Sequence, residues 1–337
     1  MRICVVGAGA IGGLMGARLA QAGHEVSLIA RGPHLRAIQQ NGLALTGGED
    51  CETVKNLAAT DDMTQLDHQD LVVMSLKSHQ ISTVVQQLPS IIGPDTAMVT
   101  VQNGIPWWYF QKLGGEHEGR VVESVDPGGV LAGSIDSECL IGCIAYPAAA
   151  ITEPGVIRHV EGNRFPVGEL DGQVSGRAAK VSEVFIGAGF KSPVLEDIRS
   201  EIWLKLWGNL SFNPISALTH ATLEGICQFP LSRELAASMM TEAKTVAEGL
   251  GAGFRVSLEK RIEGAGKVGK HKTSMLQDVE SGKPLEIDGM LGAVIELAEV
   301  VGCEIPTLKS VYACVCLLDH TLQSENMRLE GQFREVR

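Results

Sequence analysis

The sequence predicts an α/β domain over residues 1–197 followed by an all-helical domain over residues 198–337. Three observations lead to this prediction. An apolar run, a glycine-rich turn and a helical segment follow one another at the N-terminus. Strand patterns, several of them followed by helices, continue to about Glu196, as in a layered α/β domain. From Ile198 onward helical periodicity recurs, with no strand alternation of comparable strength.

The first strand and the turn after it predict a dinucleotide-binding site. Residues 3–6 are all apolar, which is typical of a strand buried on both faces. The G-x-G-x-x-G turn uses Gly7 for tightness, Gly9 for the approach of backbone N–H groups to a pyrophosphate, and Gly12 for close helix packing. The helix N-terminus adds unpaired N–H groups and the positive end of its dipole. The alternative is a glycine turn that binds nothing. The expected cofactor contacts of this Rossmann-type domain are Gly7, Ala8, Gly9, Ala10, Ile11 and Gly12.

The residue after the second strand indicates which cofactor binds. An NAD enzyme usually has Asp or Glu there, where the carboxylate holds the ribose 2′-hydroxyl. This chain has Arg31, whose guanidinium can hold a 2′-phosphate through two hydrogen bonds. We therefore expect NADP (NADPH), with a solvated surface arginine as the alternative.

Two further strands end in polar residues that are candidates for the same site. The apolar run 70–76 ends at Lys77, with Gln80 close behind, and the run 97–101 continues into Gln102 and Asn103. Ligands of open α/β sheets bind beyond the carboxyl ends of the strands. We expect Lys77 and Gln80 to contact the cofactor and Asn103 to lie beside the nicotinamide and the substrate. The alternatives are a helix-start lysine facing water and an asparagine that serves a turn.

The rest of the first domain is predicted from weaker patterns. Alternation and hairpin-like spacing after residue 121 suggest antiparallel additions to the sheet. The aromatic segment 107–110 is expected in the core, in a dimer contact or as an apolar wall of the substrate pocket. The predicted helices are 33–40, 78–88 and 174–188, and the predicted short strands are 43–46, 53–59, 121–124, 139–146, 156–160, 165–169 and 193–195.

Lys205, Asn209 and Asn213 form the most informative pattern of the second domain. Their spacing of i, i+4 and i+8 aligns them along one stripe of a helix among tryptophans and leucines. Apolar surroundings make an ammonium group costly and ease the loss of its proton, which suits a general acid. Asparagines can donate and accept hydrogen bonds from a carboxylate, a carbonyl or a hydroxyl. A snorkelling lysine with two amide contacts between helices fits the periodicity equally well.

Ser274 and Glu286 lie at the starts of two further predicted helices. Plain N-capping and favourable dipole placement are the alternatives to a binding role. The predicted helices of this domain are 200–220, 232–250, 257–263, 274–281, 286–301 and 307–324.

Composition and sequence pattern argue against nucleic acid, membranes, export and metal binding. The net charge of −12 disfavours nucleic acid and anionic membranes as partners, because phosphate binding needs a basic surface. No apolar run reaches the ~18 residues of a membrane-spanning helix. No signal-peptide pattern is present, so a cytoplasmic location is expected. The eight cysteines form no C-x-x-C pair, and we expect reduced, buried thiols and no metal site.

The chain resembles the ketopantoate reductase (2-dehydropantoate 2-reductase) family over nearly its whole length. The resemblance rests on motifs that recur in order and at family spacing across both domains. The matching residues are Gly7, Gly9, Gly12, Leu76–Gln80, Gln102–Gly104, Trp203, Lys205, Leu206, Asn209, Asn213, Pro214, Ser274–Asp278 and Glu286–Asp288.

This resemblance implies a Rossmann-type domain joined to a helical domain like the C-terminal domain of 6-phosphogluconate dehydrogenase. It implies NADPH-dependent reduction of a 2-oxo acid to a 2-hydroxy acid, namely 2-dehydropantoate to pantoate in pantothenate biosynthesis. Lys205 would protonate the developing alkoxide, and Glu286 would orient or reprotonate Lys205. Asn209, Asn213 and Ser274 would hold the substrate. The implied partner is thus a small 2-oxo acid, and a homodimer through the helical domain is a further option.

Two departures from the family pattern leave the substrate open. Leu223 stands where the family tends to place an additional substrate asparagine, and His271 stands where it places another. A bulkier or more apolar 2-oxo acid is therefore one alternative. A non-catalytic NADPH-binding sensor is the other, although such a protein has no need of a protonatable lysine beside Asn209 and Asn213.

Overall fold

The computed structural model describes residues 1–47 and 50–329. Residues 330–337, the end of the predicted helical domain, lie outside the described residues. The chain divides into two compact units. Unit 1 comprises Met1–Asn103, Trp107–Val121 and Gly128–Ile198, and unit 2 comprises Gly104–Pro106, Val122–Pro127 and the chain from Arg199 onward. The division of cofactor and substrate roles between domains 1–197 and 198–337 stays a prediction.

Unit 1 contains two β-sheets. Its strands are β1 (Arg2–Val6), β2 (Glu25–Ile29), β3 (Leu43–Gly47), β4 (Asp50–Val54), β5 (Leu57–Thr60), β6 (Gln69–Met74), β7 (Ile92–Thr100), β8 (Leu140–Cys143), β9 (Ala148–Glu153), β10 (Val156–Glu161) and β11 (Val167–Gly168). The larger sheet has the order β11-β8-β7-β6-β1-β2-β5. All of its pairings are parallel except that of β11 with β8. This sheet confirms the predicted α/β class.

The predicted antiparallel additions to the sheet are confirmed for β11, which pairs antiparallel with β8 in the larger sheet, and are wrong for the strands of the second sheet. The order of the second sheet is β4-β3-β10-β9, with β10 parallel to β3 and antiparallel to β9. The predicted hairpin strands thus form a separate sheet, while β8 joins the larger sheet in parallel. The alternation in the sequence showed strand character but carried no information about which edge each strand joins.

Two of the predicted strands, 121–124 and 193–195, do not form as strands. Residues 121–124 form no strand, because the Glu296 carboxylate accepts the backbone N–H groups of Glu123 and Ser124, both at 2.8 Å. Those N–H groups are the donors that a strand would need for its ladder. The predicted strand 193–195 is reduced to a single bridge between Val194 and Val167.

Five helices of unit 1 accompany the sheets. They are α1 (Ala10–Gln21), α2 (Gly32–Asn41), α3 (Ser78–Ile81), α4 (Val130–Ser134) and α5 (Gly176–Gly187). The predicted helix 78–88 ends early, at Ile81, and a 3₁₀ segment follows over Val85–Ser90. The β-branched residues between them and Pro89 oppose a continuous α-helix. The aromatic segment 107–110 lies in the core, since each of its four side chains is at most 3% exposed.

Unit 2 is built from helices. They are α6 (Ile198–Thr219), α7 (Leu223–Gln228), α8 (Pro230–Gly249), α9 (Leu258–Lys267), α10 (Ser274–Ser281), α11 (Ala293–Val301) and α12 (Pro306–Ser324). The sequence missed α7, a short helix that Thr222 caps. The predicted helix 286–301 begins instead as a π-helical turn over Asp288–Gly292. No helix among the described residues is long and apolar enough to cross a membrane.

Candidate active-site residues

The glycine turn of unit 1 has the geometry that its spacing predicts. Gly7 has φ +103°, and a Cβ there would lie 2.8 Å from the Leu76 side chain. A Cβ on Gly12 would lie 2.0 Å from the Gly7 carbonyl oxygen and 2.2 Å from Ser75 Oγ. Both positions therefore require glycine for packing.

The space beside the turn fits a bound phosphate group. A Cβ on Gly9 would meet no atom within 4 Å, so the backbone is open to an approaching group. Gly9 precedes α1 without a side-chain cap, and the first turn of α1 carries no acidic residue. The helix N-terminus thus offers its N–H groups and dipole to an anion. These features fit the pyrophosphate of a dinucleotide.

The other predicted cofactor residues follow neighbouring strands. The sheet order and parallel pairings put the carboxyl ends of β7, β6, β1 and β2 along one edge. Asn103, Lys77, Gly7 and Arg31 come directly or closely after these four ends. Gln102 supports this edge by donating its Nε2 to the Met74 carbonyl at 2.9 Å.

Arg31 contacts a residue that the sequence reasoning missed. Its guanidinium donates to Thr83 Oγ1 at 3.4 Å, and Thr83 in turn donates to the Gln80 carbonyl oxygen at 2.7 Å. Arg31 and Gln80 are exposed, and Lys77 is half-buried at the start of α3. Thr83 had no motif to mark it, because only the folded chain brings it next to Arg31.

The second set of candidates lies in unit 2 on α6. Lys205 and Asn209 are half-buried, whereas Asn213 is only 6% exposed. The stripe is therefore most buried at its Asn213 end. Trp203 and Trp207 are at most 1% exposed, and Trp207 Nε1 donates to the Met240 carbonyl at 2.6 Å. These tryptophans fix the helix and so determine the direction of its polar stripe.

The structure brings Asn213 and Ser274 together. Asn213 Nδ2 donates to Ser274 Oγ at 3.4 Å, across a sequence separation of 61 residues. Ser274 is exposed and is the first residue of α10, whereas the N-cap is Thr273, whose hydroxyl accepts the Leu276 N–H. The capping alternative for Ser274 is therefore wrong, and its hydroxyl stands beside the Asn213 amide.

Glu286 lies outside a helix, in the segment between α10 and the π-helical turn. The sequence predicted it at a helix start, but the first π-helical residue is Asp288. Glu286 is half-buried, while Leu285 and Ile287 on either side are 6% and 5% exposed.

The two departures from the family pattern are neighbours in unit 2. The Leu223 N–H donates to the His271 carbonyl at 3.0 Å, and both residues are half-buried. This bond joins the start of α7 to the loop before α10. His271 is three residues before Ser274, so both departures lie close to that candidate in the chain or in space.

Within residues 1–47 and 50–329, no group of three or more His, Cys, Asp or Glu side chains could hold a metal ion. No disulfide bond joins any of the eight cysteines, and the expectation of buried thiols is wrong for Cys51 and Cys314, which are exposed. Burial raises the pKa of the Cys4 thiol to about 12, which keeps it protonated and unreactive.

Two family models match the chain. Residues 3–172 match the model described as ketopantoate reductase PanE/ApbA, and residues 197–318 match ketopantoate reductase PanE/ApbA C terminal. Together they span most of both units.

Known proteins are similar over nearly the full length. A 2-dehydropantoate 2-reductase from Mesorhizobium japonicum is 49% identical over 94% of this chain and 97% of its own length. One from Archaeoglobus fulgidus is 30% identical over 90% of this chain and 92% of its own length. A crystal structure of a ketopantoate reductase from Ralstonia solanacearum, described as putative, has a TM-score of 0.91 and 38% identity, covering 95% of this chain and 98% of that one.

Proposed function

This chain belongs to the ketopantoate reductase family, and we propose that it is the NADPH-dependent oxidoreductase that converts 2-dehydropantoate to pantoate, a step of pantothenate biosynthesis. The observation that supports this most is the 49% identity to a 2-dehydropantoate 2-reductase over 94% of the chain. The open Gly9 backbone and the Asn213–Ser274 pair supply matching chemistry in the two units.

The cofactor is NADPH, which supplies a hydride to the C2 carbonyl carbon of the substrate. The glycine turn and the N-terminus of α1 would hold its pyrophosphate, and Arg31 would pair with the 2′-phosphate. Lys77 and Gln80 would add polar contacts beyond β6, and Asn103 would lie by the nicotinamide beyond β7. These assignments rest on sheet position and on the family motif.

The substrate-side residues would bind, orient and protonate. Asn209, Asn213 and Ser274 would hold the carboxylate and carbonyl groups with amide and hydroxyl hydrogen bonds. Lys205 would donate a proton to the alkoxide oxygen that forms at C2, giving the hydroxyl of the product. Glu286 would orient or reprotonate Lys205. One proton and one hydride are added per turnover, which balances the reduction.

The direct test is NADPH oxidation with 2-dehydropantoate, followed by the absorbance of the reduced nicotinamide, with product identified by mass spectrometry. A panel of other 2-oxo acids is measured beside it. Stoichiometric formation of pantoate is the expected result. NADPH binding without turnover of any 2-oxo acid would instead favour the non-catalytic sensor.

The contact between Leu223 and His271 supports a second candidate substrate class. The backbone bond between them brings close together two positions where the family tends to have asparagines, so two amides that could hold a hydroxyl are missing from this region. A substrate with an alkyl or aryl group in place of the hydroxyl would lose less binding free energy there. Such a group needs no hydrogen-bond partner, and apolar burial contributes about 25 cal/mol per Å². A bulkier 2-oxo acid with kcat/KM at least equal to that of 2-dehydropantoate is the result that would establish this class. A preference for 2-dehydropantoate that survives Leu223→Asn would exclude it.

Assembly and location are proposals as well. We propose a homodimer formed through the helical domain, which light scattering coupled to gel filtration measures directly. We also propose a cytoplasmic location, because the cysteines form no C-x-x-C pair and the sequence shows no disulfide framework.

A further inference from the structure

Helix α12 holds the segment that carries Glu286 at two points. The Asp319 carboxylate accepts the Leu285 N–H at 3.1 Å, and the Tyr312 hydroxyl donates to Asp288 Oδ1 at 3.2 Å. Leu285 precedes Glu286, and Asp288 comes two residues after it. Because Tyr312 and Asp319 are seven residues apart, they lie on one face of α12. The two bonds therefore bracket Glu286 from the same helix face.

The segment itself has a backbone that needs such support. The Ile287 carbonyl accepts N–H groups from Met290 at 3.1 Å, Leu291 at 2.7 Å and Gly292 at 3.4 Å, which gives the wide π-helical turn. Turns of this kind are rare and occur often at functional sites. The turn fits closely beneath α12, because a Cβ on Gly292 would lie 3.4 Å from the Tyr312 hydroxyl.

Other parts of unit 2 hold the same turn from further sides. The Ile105 N–H donates to the Gly289 carbonyl at 2.8 Å, and a Cβ on Gly104 would lie only 2.1 Å from that carbonyl oxygen. Gly104 also has φ +84°, a conformation that favours glycine. Both the backbone angle and the lack of space for a Cβ therefore require glycine at this position. Asn213 Nδ2 lies 3.9 Å from the Met290 sulfur. The turn is thus in contact with a residue of the proposed substrate stripe.

Burial raises the pKa of the Tyr312 hydroxyl far above its ordinary value, and the neighbouring Cys316 and Asp288 raise it further. The hydroxyl therefore keeps its proton and remains a donor. A neutral donor to a carboxylate is a stable, directional contact, which suits a structural constraint beside a reacting group.

We infer that α12 positions Glu286 for proton transfer, with Tyr312 and Asp319 as the positioning residues. This inference rests on the proposed function, in which Glu286 acts on Lys205. Neither side chain needs to touch the substrate. Their bonds fix the backbone on both sides of Glu286, and a catalytic group that moves by about 1 Å can lose about 10²-fold in rate.

The test combines kinetics with amide hydrogen exchange. Tyr312→Phe and Asp319→Ala should each lower kcat by about tenfold, a smaller loss than full misplacement gives, with the KM for NADPH unchanged. Both variants should also speed exchange in peptides that cover residues 284–294. The matched controls are Tyr146→Phe, which removes a half-buried hydroxyl in unit 1, and Asp171→Ala, which removes a carboxylate that accepts the Gln173 N–H at 3.0 Å.

A second background separates positioning from general weakening. In a Glu286→Gln chain, Tyr312→Phe and Asp319→Ala should cost almost nothing further, because their effect passes through Glu286. Equal losses of kcat in both backgrounds would overturn the inference, as would unchanged exchange over residues 284–294. A wild-type chain that turns over no 2-oxo acid would overturn the proposed function and the catalytic part of the inference. The exchange rates would then still decide whether α12 holds the segment.

Discussion

At the scale of single residues, we propose that Arg31 determines the choice between NADPH and NADH. Its exposed guanidinium follows β2 and is held 3.4 Å from Thr83 Oγ1. Arg31→Asp removes the partner of the 2′-phosphate and adds repulsion, so the preference for NADPH should reverse or disappear. The ratio of kcat/KM for the two cofactors measures this. Thr83→Ala, which only frees the guanidinium, should change the ratio much less, and equal use of both cofactors by the unaltered chain would contradict the assignment.

Steady-state kinetics on a variant can also distinguish a catalytic Lys205 from a snorkelling lysine with a structural role. If Lys205 is the proposed proton donor to the alkoxide, Lys205→Ala should lower kcat by about 10²–10⁴-fold. NADPH affinity should stay nearly unchanged, since the glycine turn lies in unit 1. Lys244→Ala on α8, which removes a surface ion pair with Glu248, is the matched control. Loss of folding or of cofactor binding in Lys205→Ala would identify a structural lysine instead.

We expect His34 to make the free energy of unfolding depend on pH. Its Nδ1 accepts the Gly155 N–H at 3.0 Å, and burial lowers its pKa, with the Ala8 backbone acting in the opposite direction. A histidine with a lowered folded pKa stabilises above its unfolded pKa, about 6.5, and loses that contribution as the pH falls through the folded value. The free energy of unfolding should therefore drop on acidification below about pH 6.5.

Denaturant titrations across that range, on the wild type and on His34→Asn, measure this dependence. Asparagine keeps an acceptor near Nδ1 but does not titrate, so the slope should flatten without vanishing, because burial also lowers the pKa of His24. An unchanged slope in His34→Asn would show that this histidine is not the linked group.

At the scale of elements, the β1–turn–α1 unit contains two glycines whose substitution by alanine should affect stability differently. Gly12→Ala places a methyl group 2.0 Å from the Gly7 carbonyl oxygen, so it should destabilise the chain by about 1–3 kcal/mol and weaken NADPH binding. Gly9→Ala meets open space at φ −67°, so it should leave the stability unchanged or slightly higher while still weakening NADPH binding. Denaturant unfolding and NADPH titration give the two readouts. A large loss of stability in Gly9→Ala would mean that the space is not reserved for a ligand.

The elements also show what the sequence could and could not predict. The glycine turn, the buried strands of the larger sheet and the Lys205 stripe follow from local patterns, because spacing and periodicity determine them. The second sheet depended on long-range pairing of β3 with β10, which no local pattern encodes. The π-helical turn was missed because its causes lie in α12 and around Ile105, far away in sequence. The family resemblance marked Asn213 and Ser274 separately as substrate residues, and only the fold shows that they contact each other.

At the scale of the whole molecule, the chain enters unit 2 twice before residue 199, over Gly104–Pro106 and Val122–Pro127. These segments are held by residues that come much later. Ile105 bonds to Gly289, and Glu296 accepts Ser124 Oγ at 2.7 Å in addition to two backbone N–H groups. A domain boundary placed at residue 197 from the sequence misses these two segments. Helical periodicity begins at residue 198, whereas the first segment of unit 2 begins at residue 104.

A fragment of residues 1–198 should therefore be much less stable than the full chain. It would expose Ile105 and Val122, both fully buried, together with Val125, which is 7% exposed. Each buried apolar side chain left in water costs about 1.5–3 kcal/mol, which is a large share of the 5–15 kcal/mol that stabilises a typical protein. Unfolding by denaturant and aggregation by light scattering measure the loss. The same fragment with Ile105→Ser, Val122→Thr and Val125→Thr should aggregate less without recovering stability. A fragment 1–198 that binds NADPH as tightly as the full chain and unfolds in one sharp transition would show that the two segments need no support from unit 2.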